Sequence, residues 1–453
     1  MNPAPVLLWF RHDLRLNDNP ALTAALQSGR SVLPIYILDD NAAGAWKMGA
    51  ASRVWLHHSL ASLNKSLSGK LALFKGSADQ ILPQLCQQIG SPAVFWNRLY
   101  EPWRHNQDQH IEKSLTAKGV QISSFKASLL YEPWEVLKED GTPYRVFTPY
   151  FRRGCLSKPE PRLPLPRPNF IPLAETLQSS MTLDQLLLLP KTLKWGDKML
   201  SHWEIGESGA QQALKSFLTT GLKNYKNGRD YPSLPHPSRL SPYLHFGEIS
   251  PNQVWHDSKN YALINHLEND LDHFHSELAW REFSHSLLHF HPTLPDAPLN
   301  KKFDLFDWAE PTAEALGRWQ KGLTGFPIVD AGLRELWATG YMHNRVRMIV
   351  GSFLVKDLRF HWRVGEDWFW ETLFDADLAN NAASWQWVAG CGADAAPYFR
   401  IFNPHTQAEK FDPKQEYIRK WIPEWGTKRY PAPMLDHKTA RDQALEAFQR
   451  TRS

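Results

Sequence analysis

Cysteine is scarce: the 453-residue chain has only 3, Cys86, Cys155 and Cys391, odd in number and far apart. This excludes a disulfide framework and a four-cysteine zinc or iron–sulfur site, and a reducing cytoplasm is the expected compartment. Long apolar runs are missing as well. The opening run VLLWF stops at Arg11, too short for a signal h-region, and no stretch approaches the roughly 18 apolar residues of a membrane span. No G-x-G-x-x-G follows a strand-like run, so dinucleotide binding of the Rossmann type is not expected. The formal net charge is only +4, short of the excess carried by a DNA-wrapping protein, so any nucleic-acid surface must be local. A repeat of fixed period is also absent.

What is present reads as globular. With 42% hydrophobic and 22% charged residues, the chain has the apolar content to offset its ordering entropy, and its length fits two or three packed domains. Most of the 20 tryptophans lie after residue 200, which by composition alone describes a large helical core.

From residue 5 to about 126, the runs VLLWF, SVLPIYIL, LALFKG, AVFWN and QISSF alternate with helical patterns. That alternation predicts a doubly wound parallel α/β domain over 1–128, with Asn19 before Pro20 as a helix start. A proline-rich stretch centred on KPEPRLPLPRPNFIP predicts an interdomain connector over 129–200. Periodic segments such as LDHFHSELAWREFSHSLLHF and HKTARDQALEAFQRT then predict an all-helical domain over 201–453.

Several clusters carry chemistry. Glu277, Trp280 and Arg281 stand at i, i+3 and i+4 on one helix face, where a carboxylate beside an aromatic plane suits reading and stacking a base. A surface Glu–Arg pair beside a core tryptophan fits the same spacing. Asn344, Arg347 and Met348 repeat it. In LFDADLANNAASWQWVAG, Asp375 suits pairing with an arginine such as Arg347, and Asp377 and Asn381 suit a planar heterocycle; either aspartate could equally cap a helix. Ser238 and Ser241 precede a short helical pattern, where hydroxyls and free amides suit phosphate.

In order along nearly the whole chain, FRHDLRLNDNPAL, RLSPYL, ELAWREF, TGFPIVDAGLREL, MHNRVRM, DADLANN…WQW and YFRIFNPHTQAEKFDP resemble the photolyases and cryptochromes, and within them the class I cyclobutane pyrimidine dimer photolyases. The resemblance implies an antenna-binding α/β domain and a helical domain holding a U-shaped FAD, active when reduced. It implies repair by electron transfer from the excited, reduced FAD to a cyclobutane dimer in DNA. A monomer without an obligatory protein partner, associated with the nucleoid when on DNA, is expected.

By that resemblance Tyr225, Pro237, Ser238, Arg239, Leu240 and Ser241 line the FAD phosphates and ribose. Arg347 and Asp375 form an ion pair over the flavin, flanked by Ala376. Asp377 bonds the ring edge, Asn381 faces N5, and Glu277, Arg281 and Asn344 complete the cofactor set. Glu277, Trp280, Asn344, Met348 and Trp387 match the pocket for the flipped dimer. Flipping costs a few kcal/mol, least for a damaged pair. Arg229, Arg281, Arg345 and Arg400 match backbone-holding positions, and Trp385, Trp362 and Trp308 a tryptophan chain for photoreduction. Glu101 is the position for an antenna pigment, methenyltetrahydrofolate, with a deazaflavin not excluded; no metal is expected. The departures are Pro237, His285 and Ala382, where relatives often carry threonine, tyrosine and a second asparagine or glycine.

Asparagine and methionine at 344 and 348 separate the chain from (6-4) photolyases, which have histidines there. A cryptochrome-like light receptor is the alternative. It usually carries a long tail, whereas only about forty residues follow the last motif here. An ordinary flavin dehydrogenase is disfavoured by the missing nucleotide fingerprint.

Overall fold

A computed structural model describes residues 3–190, 195–396 and 398–451. Five apolar runs become parallel strands: β1 (Val6–Phe10), β2 (Val32–Leu38), β3 (Ala72–Lys75), β4 (Ala93–Asn97) and β5 (Gln121–Phe125). Their spatial order is β3-β2-β1-β4-β5, a doubly wound sheet that switches direction at β1. Strands β1, β2 and β4 are buried throughout, as expected when helices cover both faces of a parallel sheet. The crossovers are α1 (Pro20–Gln27), α2 (Ala50–Ser66), α3 (Ala78–Ile89) and α4 (Pro102–Thr116). Asn19 starts α1 as expected, its side chain accepting the amide of Leu22 while Pro20 occupies a position that has no amide to lose.

The proline-rich stretch does more than connect. Val32 N–H donates to the carbonyl of Pro172 at 2.8 Å, Ala174 returns a bond to Val32 at 2.9 Å, and Met181 N–H reaches the Leu73 carbonyl at 2.8 Å. The connector thereby occupies unpaired groups at the start of β2 and on β3, the sheet edge, which would otherwise invite pairing with another chain.

The second half is helical: α5 (Glu207–Ser216), α6 (Pro251–Asn265), α7 (Glu268–Phe290), α8 (Pro327–Thr339), α9 (Asn344–Ser352), α10 (Trp362–Thr372), α11 (Leu378–Ala389) and α12 (His437–Arg450). α8 and α9 are separate helices, because Gly340 ends α8 at φ +68° and His343 caps α9.

The two halves meet closely. Arg15 is buried and donates to the carbonyls of Asp18, Ala127 (3.1 Å) and Gly247 (2.8 Å), joining three segments through one guanidinium. A Cβ on Gly247, at φ +67°, would come within 2.1 Å of the His12 carbonyl oxygen, and one on Gly49 within 2.2 Å of the Trp370 carbonyl oxygen.

Candidate active site

The centre of the helical half is a wall built from α9, α11 and the segments before α11. Asp375 is buried and accepts from Arg347 Nη2 at 2.8 Å and from Ser241 Oγ at 2.6 Å. Arg347 is fixed in turn by donating from Nε to the Met342 carbonyl at 2.7 Å. The other Asp375 oxygen, Oδ1, is buried without a partner. A buried carboxylate oxygen left unpaired is costly and marks a place where a further donor belongs.

Next to it, Asp377 caps α11, its Oδ1 accepting the Asn380 amide at 2.8 Å. Of the two aspartates offered as caps by the sequence, only Asp377 takes that role. Asn381, one turn into α11, is buried and donates to the Glu366 carbonyl at 3.0 Å. Ser241 opens a helix of five residues, Ser241–His245, but its hydroxyl serves Asp375 rather than the helix end. Arg239 stands at φ +54°, its guanidinium 4.2 Å over Trp203 and 5.3 Å over Tyr341. Tyr225 and Leu240 are buried beside these segments.

The acid–aromatic cluster lies on α7. Glu277 is ion-paired with Arg229, and Arg345 with Asp230 at 2.8 Å. Trp280 is stacked on Phe147 at 3.8 Å with 9° between planes, so one face of its ring is already covered. Trp387 donates from Nε1 to the Asp394 carbonyl at 3.0 Å, and Arg400 sits 5.7 Å over its ring. Arg345 Nη1 lies 3.6 Å from Met348 Sδ, and Asn344 is exposed at the start of α9. Arg281 points inward: Nη1 donates to the Ser128 carbonyl at 2.6 Å across the seam. Its charge acts on Asp377 and the histidines around it.

Trp385 and Trp362 are buried, and a Cβ on Gly365 would meet the Trp385 ring at 2.0 Å, so α10 packs its bare backbone against that indole. Between Trp362 and the half-buried Trp308 lies His361, its ring 5.3 Å and 5.0 Å from theirs. Glu101 precedes α4 with Oε2 buried and unpartnered, as is Trp103 Nε1.

Sequence reasoning passed over His12, His245, His361 and Glu366. Glu366 is buried with both carboxylate oxygens unpartnered, and burial holds its carboxyl well above the ordinary value. Isolated histidines carry no spacing signal; only the fold brings them together.

A parallel α/β sheet joined to a helical domain with an arginine–aspartate wall defines a two-domain cofactor-binding protein. The DNA photolyase profile matches residues 6–169, and that of the FAD binding domain of DNA photolyase matches 274–427. A deoxyribodipyrimidine photo-lyase of Agrobacterium fabrum is 43% identical, with 99% of this chain and 98% of the relative covered. Cryptochrome-1 of Arabidopsis thaliana is 38% identical over 95% of this chain and 64% of its own length. The crystal structure of a bacterial class III photolyase from Agrobacterium tumefaciens superposes with a TM-score of 0.95 at 43% identity, covering 100% of this chain and 98% of that one. The chain belongs to the photolyase/cryptochrome family. The expected class I assignment is not supported, since this solved relative is class III.

Proposed function

We propose that the protein is a deoxyribodipyrimidine photo-lyase, repairing cyclobutane pyrimidine dimers in DNA under blue light with FAD as cofactor, and that it groups with class III enzymes. Full-length similarity to the Agrobacterium photo-lyase supports the activity. The observation that carries the cofactor reading is the Arg347–Asp375–Ser241 wall with its one unpaired buried oxygen. Reduced FAD, when bound there, supplies the light-driven electron.

The chain's own residues hold and orient. Asp375 would accept a donor from the cofactor on Oδ1, while Arg347 compensates its charge. Asp377 and Asn381 would address the ring edge and its central nitrogen, and Tyr225, Pro237, Ser238, Arg239, Leu240 and Ser241 would hold the phosphate and ribose end. Pro237 offers no amide, so any phosphate contact at that turn falls to its neighbours. Glu277, Trp280, Asn344, Met348 and Trp387 would receive the flipped dimer. For Trp280 only the face away from Phe147 is open to a base, and Glu277 must exchange Arg229 for the dimer's base edge. Arg229, Arg345 and Arg400 would hold the DNA backbone, and Trp385, Trp362 and Trp308 would conduct electrons inward. An antenna pigment, methenyltetrahydrofolate with a deazaflavin as the alternative, would bind near Glu101, where Glu101 Oε2 and Trp103 Nε1 lack partners. The division at 128 and 200 is kept as the functional one.

The test is repair of a defined thymine-dimer duplex by reduced protein, in light and in darkness, beside a (6-4) duplex. Light-dependent loss of the cyclobutane dimer alone establishes the activity. Similarity to Cryptochrome-1 supports a second reading, a blue-light receptor, and failure to repair either lesion would favour it.

A further inference from the structure

Several ionisable side chains converge under the N-terminal end of α11. Asp377 uses Oδ1 for the cap, accepting from Asn380 N and Nδ2 at 2.8 and 2.7 Å. Its Oδ2 lies 3.4 Å from His285 Nε2 and 3.9 Å from His245 Nδ1. The other nitrogen of His285, Nδ1, is 3.0 Å from the Arg281 carbonyl oxygen. Each nitrogen of His285 therefore faces an acceptor with no proton to give, and only the imidazolium has two N–H groups to satisfy both.

The surroundings keep that charge local. Burial alone would push His285 down, but Asp377 outweighs it and the ring is held above its ordinary value. Burial would raise Asp377, yet His285, His245 and Arg281 together hold it well below the usual carboxylate range. His245 is pushed down to about 4, chiefly by burial, and stacks edge-on against His12 of the α/β domain at 4.9 Å. His12, half-buried, is held well below its ordinary value by desolvation and then by His245, Arg104 and Arg11. Asp375, already committed to Arg347 and Ser241, and the Tyr100 ring, 6.2 Å from His285, complete the shell. Among these histidines His285 alone is held above its ordinary value.

We propose that His285 is the cationic half of a preformed, buried ion pair with Asp377, and that this pair presents a near-neutral surface to the flavin and favours its reduced, negatively charged form. The inference rests on the flavin reading above. A lone carboxylate in so dry a place would oppose each electron added nearby, since charges interact strongly where water is excluded. Pairing removes that opposition and leaves the positive end of the α11 dipole unmasked. His285 acts through Asp377 and is a positioning residue.

Two measurements test it. In 15N-histidine-labelled protein, the His285 nitrogens, assigned by their loss in His285→Tyr, should both carry protons at about pH 8; a neutral ring would overturn the proposal. In redox titration against reference dyes, His285→Tyr keeps a hydrogen bond to Asp377 but loses the charge. At a fixed solution potential its ratio of reduced to oxidised flavin should fall about tenfold, with FAD content unchanged. His285→Lys, which restores the charge, should recover most of that ratio. A His285→Tyr protein with the wild-type ratio, or a His285→Lys protein as impaired as His285→Tyr, would overturn it; should His285→Tyr not fold, His285→Gln takes its place. Wild-type protein that binds no FAD would instead defeat the flavin reading, and the nitrogen spectra would still decide the pair.

Discussion

Glu282, midway along α7, accepts the backbone amides of Leu130 and Tyr131 through one oxygen, at 2.9 and 3.1 Å. The carboxylate is buried, so the longest helix of the second half is tied to the connector by a charged acceptor out of reach of water. Glu282→Leu should lower stability by on the order of 2–6 kcal/mol, from about 1–3 kcal/mol for each of the two amides left unsatisfied. Urea denaturation would measure it, and Glu282→Gln, which keeps an acceptor, should lose less than half as much.

Glu248 predicts a pH dependence. It is buried at the seam, accepts from Trp55 Nε1 at 3.1 Å, and burial lifts its carboxyl from 4.5 to about 8. Because the folded value lies above the unfolded one, the bound proton stabilises the fold. That contribution is complete below about pH 4.5 and is lost as pH rises through about 8. Glu248→Gln, which imitates the protonated acid, should remove a loss of a few kcal/mol over this window, seen as a flatter profile of Tm against pH.

The Arg347–Asp375 pair sets a prediction for the cofactor. Arg347→Ala leaves a buried carboxylate without its cation, a change that costs about 3–5 kcal/mol in such pairs. The purified protein should hold less flavin per chain and melt earlier, with Arg347→Lys between it and wild type. Full flavin content in Arg347→Ala would exclude the wall from cofactor binding.

Much of this was legible beforehand. β1, β2 and β4 could be read because strands covered on both sides make continuous apolar runs, β3 and the half-exposed β5 from their place in the alternation, and Asn19–Pro20 because capping chemistry is local. The connector's pairing with β3 was not legible, since Met181 and Leu73 are joined only once the chain has folded back. Nor did spacing reveal that Arg281 faces the seam while Glu277, four residues earlier on α7, meets Arg229: a residue and its i+4 neighbour share a face, but a helix wedged between two surfaces divides that face.

That division separates the arginines in a DNA-binding assay. Arg400 has an aromatic ring beneath it and no ion pair among the described residues, whereas Arg281 is committed to the Ser128 carbonyl. Arg400→Ala should reduce the slope of log affinity against log salt by about one. Arg281→Ala should leave that slope unchanged while lowering stability.

Glu277 is the most exacting case. Its pairing with Arg229 means that the free protein already neutralises the carboxylate. Glu277→Gln should weaken light-driven repair of bound dimer or its binding by about 10- to 100-fold, the equivalent of one charge-assisted hydrogen bond of roughly 1.5–3 kcal/mol. Quantum yield and dimer affinity, measured separately, show which.

The glycines at the seam bear on traffic. Where Gly247 meets His12 and Gly49 meets Trp370, a single methyl group has no room. At these two points backbone meets backbone with no side chain to swing aside, so the seam does not open there. Two halves locked this closely should come apart together, so heating should dissolve both in a single cooperative step.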